Sequence, residues 1–115
     1  MNAAELIAKA ERAAASAKLL LDTGDTEGAC DRAYYAMFNA ARSALSLYLV
    51  KTDLVPVMYG RALNRVEELR LIADYKGDQI EPEKAAWAVD QAQDFVLAMR
   101  TMFAPDVGSS VRPMR

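Results

Sequence analysis

The 115-residue sequence contains no histidine, and this absence excludes more chemistry than any other feature of its composition. Histidine titrates nearest to neutral pH and is the commonest metal ligand in proteins. Serine–histidine triads, H-E-x-x-H metal sites and histidine-containing zinc fingers are therefore excluded. Cysteine is almost as scarce, because Cys30 stands alone and leaves neither an intrachain disulfide nor a CxxC pair. This usage is typical of a reducing cytoplasm, and we predict no metal and no cofactor.

The chain also lacks the features of a membrane or secreted protein at its N-terminus. Its first helical stretch carries Glu5, Lys9, Glu11 and Arg12, so we predict neither a signal peptide nor a membrane span. The residues are 53% hydrophobic and 26% charged, with a formal net charge of -2. These values describe a globular chain of one domain, and we expect a cytoplasmic protein.

β-Branched residues are few, whereas about a fifth of the residues are alanine, which favours helix throughout. Apolar residues recur at three- and four-residue steps in four segments. The predicted breaks are Asp22–Gly24, the stretch from Lys51 to Pro56, and Lys76–Asp78, with Pro82 opening the last helix. We predict an all-α, antiparallel up-down four-helix bundle over residues 1–103, followed by a flexible or partner-docked tail at 104–115.

Three separated motifs lie on the predicted helices and their junctions. The second helix contains Arg-Ala-Tyr-Tyr-Ala-Met-Phe at 32–38, the second junction contains Val-Lys-Thr-Asp-Leu-Val-Pro at 50–56, and the third helix ends Arg-Leu-Ile-Ala-Asp-Tyr at 70–75. In this order they resemble the small prokaryotic HEPN-domain family over about residues 3–103. Its members carry an Arg-x-Tyr-Tyr-Ala-x-Phe helix, a Val-Lys-Thr-Gly-x-x-Pro motif and a later helix that ends with Arg-x-x-Ala-Asp-Tyr.

The resemblance implies a HEPN-like helical bundle that forms a homodimer and acts in a toxin–antitoxin or defence system. It implies RNA as a partner and, in many relatives, a minimal nucleotidyltransferase as a partner protein; it implies neither DNA nor a membrane. Active HEPN ribonucleases resemble one another in an Arg-x4–6-His motif that faces a cleft shared by two subunits.

This sequence departs from the family pattern in two places. Arg70 occupies the arginine position, but the residue five positions later is Tyr75, and no histidine can replace it. Relatives also carry an additional helical segment before the Lys-Thr motif, whereas here Tyr48 runs almost directly into Lys51. The resemblance therefore implies impaired ribonuclease chemistry and altered packing between the second and third helices.

The candidate catalytic residues are Arg70, Asp74 and Tyr75. Metal-independent RNA cleavage needs a base for the ribose 2′-hydroxyl and an acid for the leaving oxygen. Arginine suits the phosphate, because its planar guanidinium forms two parallel hydrogen bonds. Arg70 also shares a helical face with Glu67 and Asp74, so an intrahelical ion-pair ladder is an equal alternative. Tyr75 either packs at the helix end, stacks on a base or accepts a nucleotidyl group, the last being implied only by the resemblance.

A second set of polar residues is the candidate RNA- or nucleotide-binding surface. Their helical spacing gives a polar stripe on the second helix and a basic track on the third, which lead toward Arg70. The alternative is an ordinary solvated face. Tyr34 points away from the stripe and is predicted to lie in the core, as is Cys30, and the methionines are predicted to fill gaps in the core or in an interface. The set comprises Arg32, Tyr35, Asn39, Arg42, Arg61 and Arg65.

Three functions from different classes follow. The first is a HEPN-type homodimer, associated with RNA or a nucleotide, whose ribonuclease motif is degenerate. The second is an active endoribonuclease toxin that uses Arg70, Asp74 and Tyr75. The third is a non-catalytic helical adaptor that docks on a nucleotidyltransferase.

Overall fold

The computed structural model describes residues 2–48, 57–76 and 80–103, with side chains described at 2–43, 60–71 and 80–101. These residues form four α-helices and no strand. The helices form an antiparallel up-down bundle, which confirms the predicted fold. Among the described helices, none is both long and apolar enough to cross a membrane. The helices are α1 (Ala3–Asp22), α2 (Thr26–Tyr48), α3 (Val57–Lys76) and α4 (Pro82–Phe103).

The turn between α1 and α2 follows the predicted break. α1 ends at Asp22, and Gly24 then adopts a φ of 91°, a left-handed conformation that glycine tolerates best. Asp25 then caps α2, because its Oδ1 accepts the backbone N–H of Gly28 at 2.9 Å. At the other end of α1, Asn2 and Glu5 form a reciprocal capping box. A polar capping box thus begins α1, and a left-handed glycine follows its end.

The core is built largely from alanine, which lets the helix backbones approach closely. α2 contacts each of the other three helices, whereas α3 packs chiefly on α2 and little on α4. Cys30, Met37 and Met99 are fully buried, as predicted. The 49–56 connection, where the resemblance predicts a missing segment, and the 104–115 tail lie outside the described residues. The buried alanines include Ala10, Ala13, Ala14 and Ala17 of α1, Ala29, Ala33, Ala36 and Ala40 of α2, and Ala85, Ala88 and Ala92 of α4.

Three polar residues of α2 are buried: Thr26 at its first position, and Asn39 and Ser43 further along the helix. Asn39 is only 1% exposed, and its amide donates a hydrogen bond to the Tyr35 carbonyl at 2.9 Å. Its predicted place on an exposed polar stripe is therefore wrong. Ser43 donates to the Ala3 carbonyl at 3.1 Å and joins α2 to the first turn of α1. Asn39 and Ser43 each gain a hydrogen-bond partner, which offsets the cost of removing their polar groups from water.

Candidate functional site

Arg70 lies where α3 packs against α2. Its Nη1 is 3.8 Å from Asp31 Oδ1 of α2, and its Cζ lies 4.7 Å from the centroid of the Tyr34 ring. Both contacts cross between α3 and α2. The side chain is 27% exposed, so the guanidinium is held in place without being sealed from solvent. An arginine in this position can reach an external anion.

Tyr34 connects the same two helices beside Arg70. Its hydroxyl donates to Glu67 Oε2 at 3.4 Å, and its ring stacks on Phe38 with centroids 6.0 Å apart. Burial raises the pKa of Tyr34, the Glu67 charge raises it further, and Arg70 opposes this rise. Asp31, Tyr34, Phe38, Glu67 and Arg70 form what we name the Tyr34 cluster.

The sequence reasoning missed the role of Tyr34 in this cluster. It assigned Tyr34 to the core, whereas the side chain is half-buried and contacts the motif arginine. Asp31 is absent from the predicted site residues. The three-residue step from Asp31 to Tyr34 was the available signal, because it places both on one face of α2.

Asp74 and Tyr75 belong to the last turns of α3. Their side chains lie outside the described residues. Their catalytic roles therefore remain predictions, as does the acceptance of a nucleotidyl group by Tyr75.

Tyr35 faces a different side of α2 from Tyr34 and lies against Lys9 of α1. Arg32 Cζ is 4.5 Å from the Tyr35 ring centroid, and Lys9 Nζ is 5.4 Å from it, both within cation–π range. A hydrogen bond from Lys9 is the main cause of a lowered pKa at Tyr35, which burial partly opposes. Within one chain, Arg32 and Tyr35 therefore lie on the α1 side of α2, whereas Arg70 lies on its α3 side. Consecutive helical residues point about 100° apart, and it is Tyr34 whose direction meets α3.

An open groove of about 240 Å³ runs between α1 and α2 at this point, and we name it the α1–α2 groove. Cationic side chains of both helices contribute to it. Its lining residues are Lys9, Arg12, Ala13, Ser16, Arg32 and Tyr35.

The remaining predicted binding residues do not join this groove. Arg42 and Arg61 are exposed. Arg65 is also exposed, and its Nη1 lies 3.8 Å from Glu68 Oε1. Arg65 instead borders a separate groove of about 320 Å³ between α3 and α4, together with Leu69, Glu83, Lys84 and Trp87. The single basic surface expected from the sequence is therefore divided between different parts of the bundle.

The fold and these contacts can now be compared with known proteins. Residues 3–52, which include all of α1 and α2, match the family described as HEPN domain. A protein of Methanocaldococcus jannaschii named "Putative toxin MJ0605" is 31% identical over 108 residues, an alignment that covers 79% of this chain and 81% of that protein. The chain belongs to the HEPN family. No solved structure matches it significantly.

The matched HEPN segment contains both adjacent tyrosines and their α2 neighbours Asp31 and Arg32, whereas Arg70 lies beyond it. Among the side chains that the structure describes, no three Cys, Asp or Glu residues are grouped as metal ligands. The chemistry available at the described surface is therefore that of arginine, lysine, carboxylate and tyrosine.

Proposed function

We propose that this HEPN chain is a cytoplasmic homodimeric module of a toxin–antitoxin or defence system, associated with RNA or a nucleotide, in which ribonuclease chemistry is impaired or lost. One observation carries the proposal. Arg70, at the arginine position of the family motif, is held at a partly exposed surface by Asp31 and Tyr34, in a sequence with no histidine. The phosphate-binding half of the motif is present without its acid–base half.

The available acid–base groups are poor substitutes for histidine near neutral pH. Reference pKa values of about 10 for tyrosine and about 3.9 for aspartate lie roughly three units from neutrality, or roughly 4 kcal/mol each. Tyr75 as base and Asp74 as acid would each meet that penalty. Efficient cleavage by these residues is therefore not expected.

Self-association is supported by large apolar side chains at the surface of a small bundle. Five such side chains are exposed in the described part of the chain, and a bundle of this size buries a modest core. A second copy of the chain would cover some of them. They are Leu19, Phe38, Leu71, Trp87 and Leu97.

The test combines RNA cleavage with oligomeric state. Purified wild-type protein and its Arg70→Ala variant are incubated with transfer RNA and messenger RNA, with Lys84→Ala as a control on α4. We expect no cleavage, and a mass in solution of twice that of the chain by light scattering. Cleavage that Arg70→Ala abolishes and Lys84→Ala preserves would contradict the loss of catalysis; a monomer at micromolar concentration would contradict the dimer.

The toxin name of the archaeal relative favours one second candidate, an active endoribonuclease toxin that uses Arg70, Asp74 and Tyr75. It predicts growth arrest on expression that Tyr75→Phe relieves. The proposed function instead predicts that cells expressing the wild-type chain and cells expressing Tyr75→Phe grow equally well. Co-purification of a nucleotidyltransferase without any RNA binding would favour an adaptor role.

A further inference from the structure

The α1–α2 groove concentrates positive charge in a protein whose overall net charge is -2. Lys9, Arg12 and Arg32 line it, and none of the lining residues that the structure describes is acidic. Three other cations in the described part of the bundle lie beside carboxylates: Lys18 beside Asp22, Lys84 beside Glu81, and Arg100 beside Glu11. The groove therefore differs from these positions in having charge that the protein itself does not balance.

Local geometry holds these cations together despite their mutual repulsion. Lys9 and Arg12 are three residues apart on α1, with Ser16 one turn further on the same face. Arg32 approaches from α2 and rests against the Tyr35 ring, which Lys9 also approaches. The aromatic ring offsets part of the repulsion between the two cations, because its face carries negative charge density. An anion placed among the three cations would offset the remainder.

We propose that the α1–α2 groove is a binding site for the phosphate groups of a ribonucleotide, either free or within a single-stranded RNA. Arg12 and Arg32 donate guanidinium hydrogen bonds to phosphate oxygens, Lys9 supplies a further charge, and the Ser16 hydroxyl donates one more hydrogen bond. Arginine suits this role because its planar donors match the spacing of phosphate oxygens. Tyr35 acts as a positioning residue that fixes Arg32 and Lys9.

This site is distinct from the Tyr34 cluster, because it lies on the α1 side of α2 and Arg70 lies on the α3 side. It deepens the proposed function by naming where the RNA or nucleotide is held. It rests on that function only for the biological source of the phosphate. Binding at the groove does not need Arg70, so the two ideas can fail separately.

The experiment measures binding of two probes to the full chain. Fluorescence anisotropy follows a labelled oligoadenylate of about ten nucleotides, and calorimetry follows ATP. The test variant is Arg12→Gln with Arg32→Gln. The matched control is Lys18→Gln with Lys84→Gln, which removes the same charge from two exposed ion pairs. Circular dichroism confirms that each variant is folded, and Lys9→Gln with Arg12→Gln on α1 replaces the test variant if Arg32 proves necessary for folding.

We expect the test variant to bind at least about tenfold more weakly than the control variant. For the oligonucleotide, the slope of log K against log salt concentration should fall by about 1.4, since each phosphate contact on a single strand contributes roughly 0.7. Tyr35→Phe should retain most of the affinity, because the ring remains. Binding of the oligonucleotide alone identifies RNA as the source, and binding of ATP alone identifies a free nucleotide.

Equal affinity of the test and control variants would overturn the proposal, as would failure of both probes to bind the wild-type chain. Arg70→Ala separates this result from the proposed function. If that variant binds both probes like the wild type, the groove is an independent site. If Arg70→Ala removes all binding while the groove variant retains it, the phosphate site is at Arg70 and the groove proposal fails.

Discussion

Tyr34 and Tyr35 are neighbours in the sequence, yet they form two surfaces of opposite electrostatic character. On the Tyr34 side, Arg70 faces Asp31, and Glu67 accepts from the tyrosine hydroxyl, so the cation has carboxylates beside it within the protein. On the Tyr35 side, Lys9 and Arg32 share one ring, and the lining of the groove includes no described carboxylate. The paired cation of the Tyr34 side joins α3 to α2, whereas the cations of the groove are available for a partner from outside the chain.

The largest expected effect is a loss of folding stability, caused by a change in the buried side of the helix that carries both surfaces. Met37 lies on α2 one turn beyond Tyr34 and is fully buried. Met37→Ala should destabilise the fold by about 2–5 kcal/mol, because it leaves a cavity in the helix that carries both tyrosines. Urea unfolding followed by circular dichroism measures the loss. Arg42→Ala on the exposed face of α2 is the control, with less than about 0.5 kcal/mol expected; a similar loss for both variants would contradict a rigid α2 core.

The next effect concerns the thiol of Cys30, which reports whether α2 stays packed. Burial, followed by the charge of Asp31, raises the pKa of Cys30 to about 11 from its usual 9.0. At about pH 8 the thiolate fraction should therefore fall roughly hundredfold, and alkylation by iodoacetamide should slow at least that much relative to the urea-unfolded chain. Mass spectrometry measures the two rates. Rapid alkylation of the folded chain would indicate that α2 opens locally, and both surfaces with it.

A smaller effect separates the two surfaces. The Arg70–Asp31 pair is partly exposed, so its coupling across α2 and α3 should be about 0.2–1 kcal/mol in a cycle of Arg70→Ala, Asp31→Ala and the double variant. High salt should reduce this coupling. Arg32→Ala combined with Asp31→Ala serves as the comparison and should show less coupling than the Arg70 cycle. Equal coupling in both cycles would contradict a specific ion pair between Asp31 and Arg70.

The smallest effect is the order in which the two tyrosines ionise. The lowered pKa of Tyr35 and the raised pKa of Tyr34 place the ionisation of Tyr35 first as the pH increases. The neutral form of Tyr34 favours the fold, and that contribution is lost as the pH rises through its folded-state pKa. The ionised form of Tyr35 favours the fold at pH values above its own folded-state pKa.

NMR of ring-labelled tyrosine, assigned with Tyr34→Phe and Tyr35→Phe, gives the order directly. Lys9→Gln should return the pKa of Tyr35 toward its usual value. Glu67→Gln should lower the pKa of Tyr34 only in part, since burial is the larger cause. If Tyr34 ionised before Tyr35, the electrostatic environments described for the two tyrosines would be contradicted.

The sequence allowed the helices and the core to be predicted more fully than the site. Alanine and large apolar residues at three- and four-residue steps mark a buried face directly, and Gly24 and Asp25 mark a turn through their local chemistry. The contacts of the polar residues were harder to predict. Periodicity shows that Arg32, Tyr35 and Asn39 share one side of α2, but it cannot show which helix that side meets or how wide the buried arc is.

For the same reason, the contact between Arg70 and Asp31 and that between Lys9 and Tyr35 were not predictable. Each joins residues on different helices, and no pattern within one helix contains that information. The family motifs added Arg70 itself, but they did not indicate the tyrosine on which it rests.

The dominance of α2 in the packing also has a consequence for how the chain is made. Among the described helices, α1 and α2 share the most extensive interface, are joined by a short capped turn, and emerge before α3 and α4 during synthesis. Domains and local units that emerge first can fold before the rest is translated. We therefore expect the α1–α2 hairpin, with its cationic groove already assembled, to gain helical structure on the ribosome before α3 supplies Arg70. A fragment of residues 1–48 with a helical circular dichroism spectrum would support this order, and a fully unfolded fragment would contradict it.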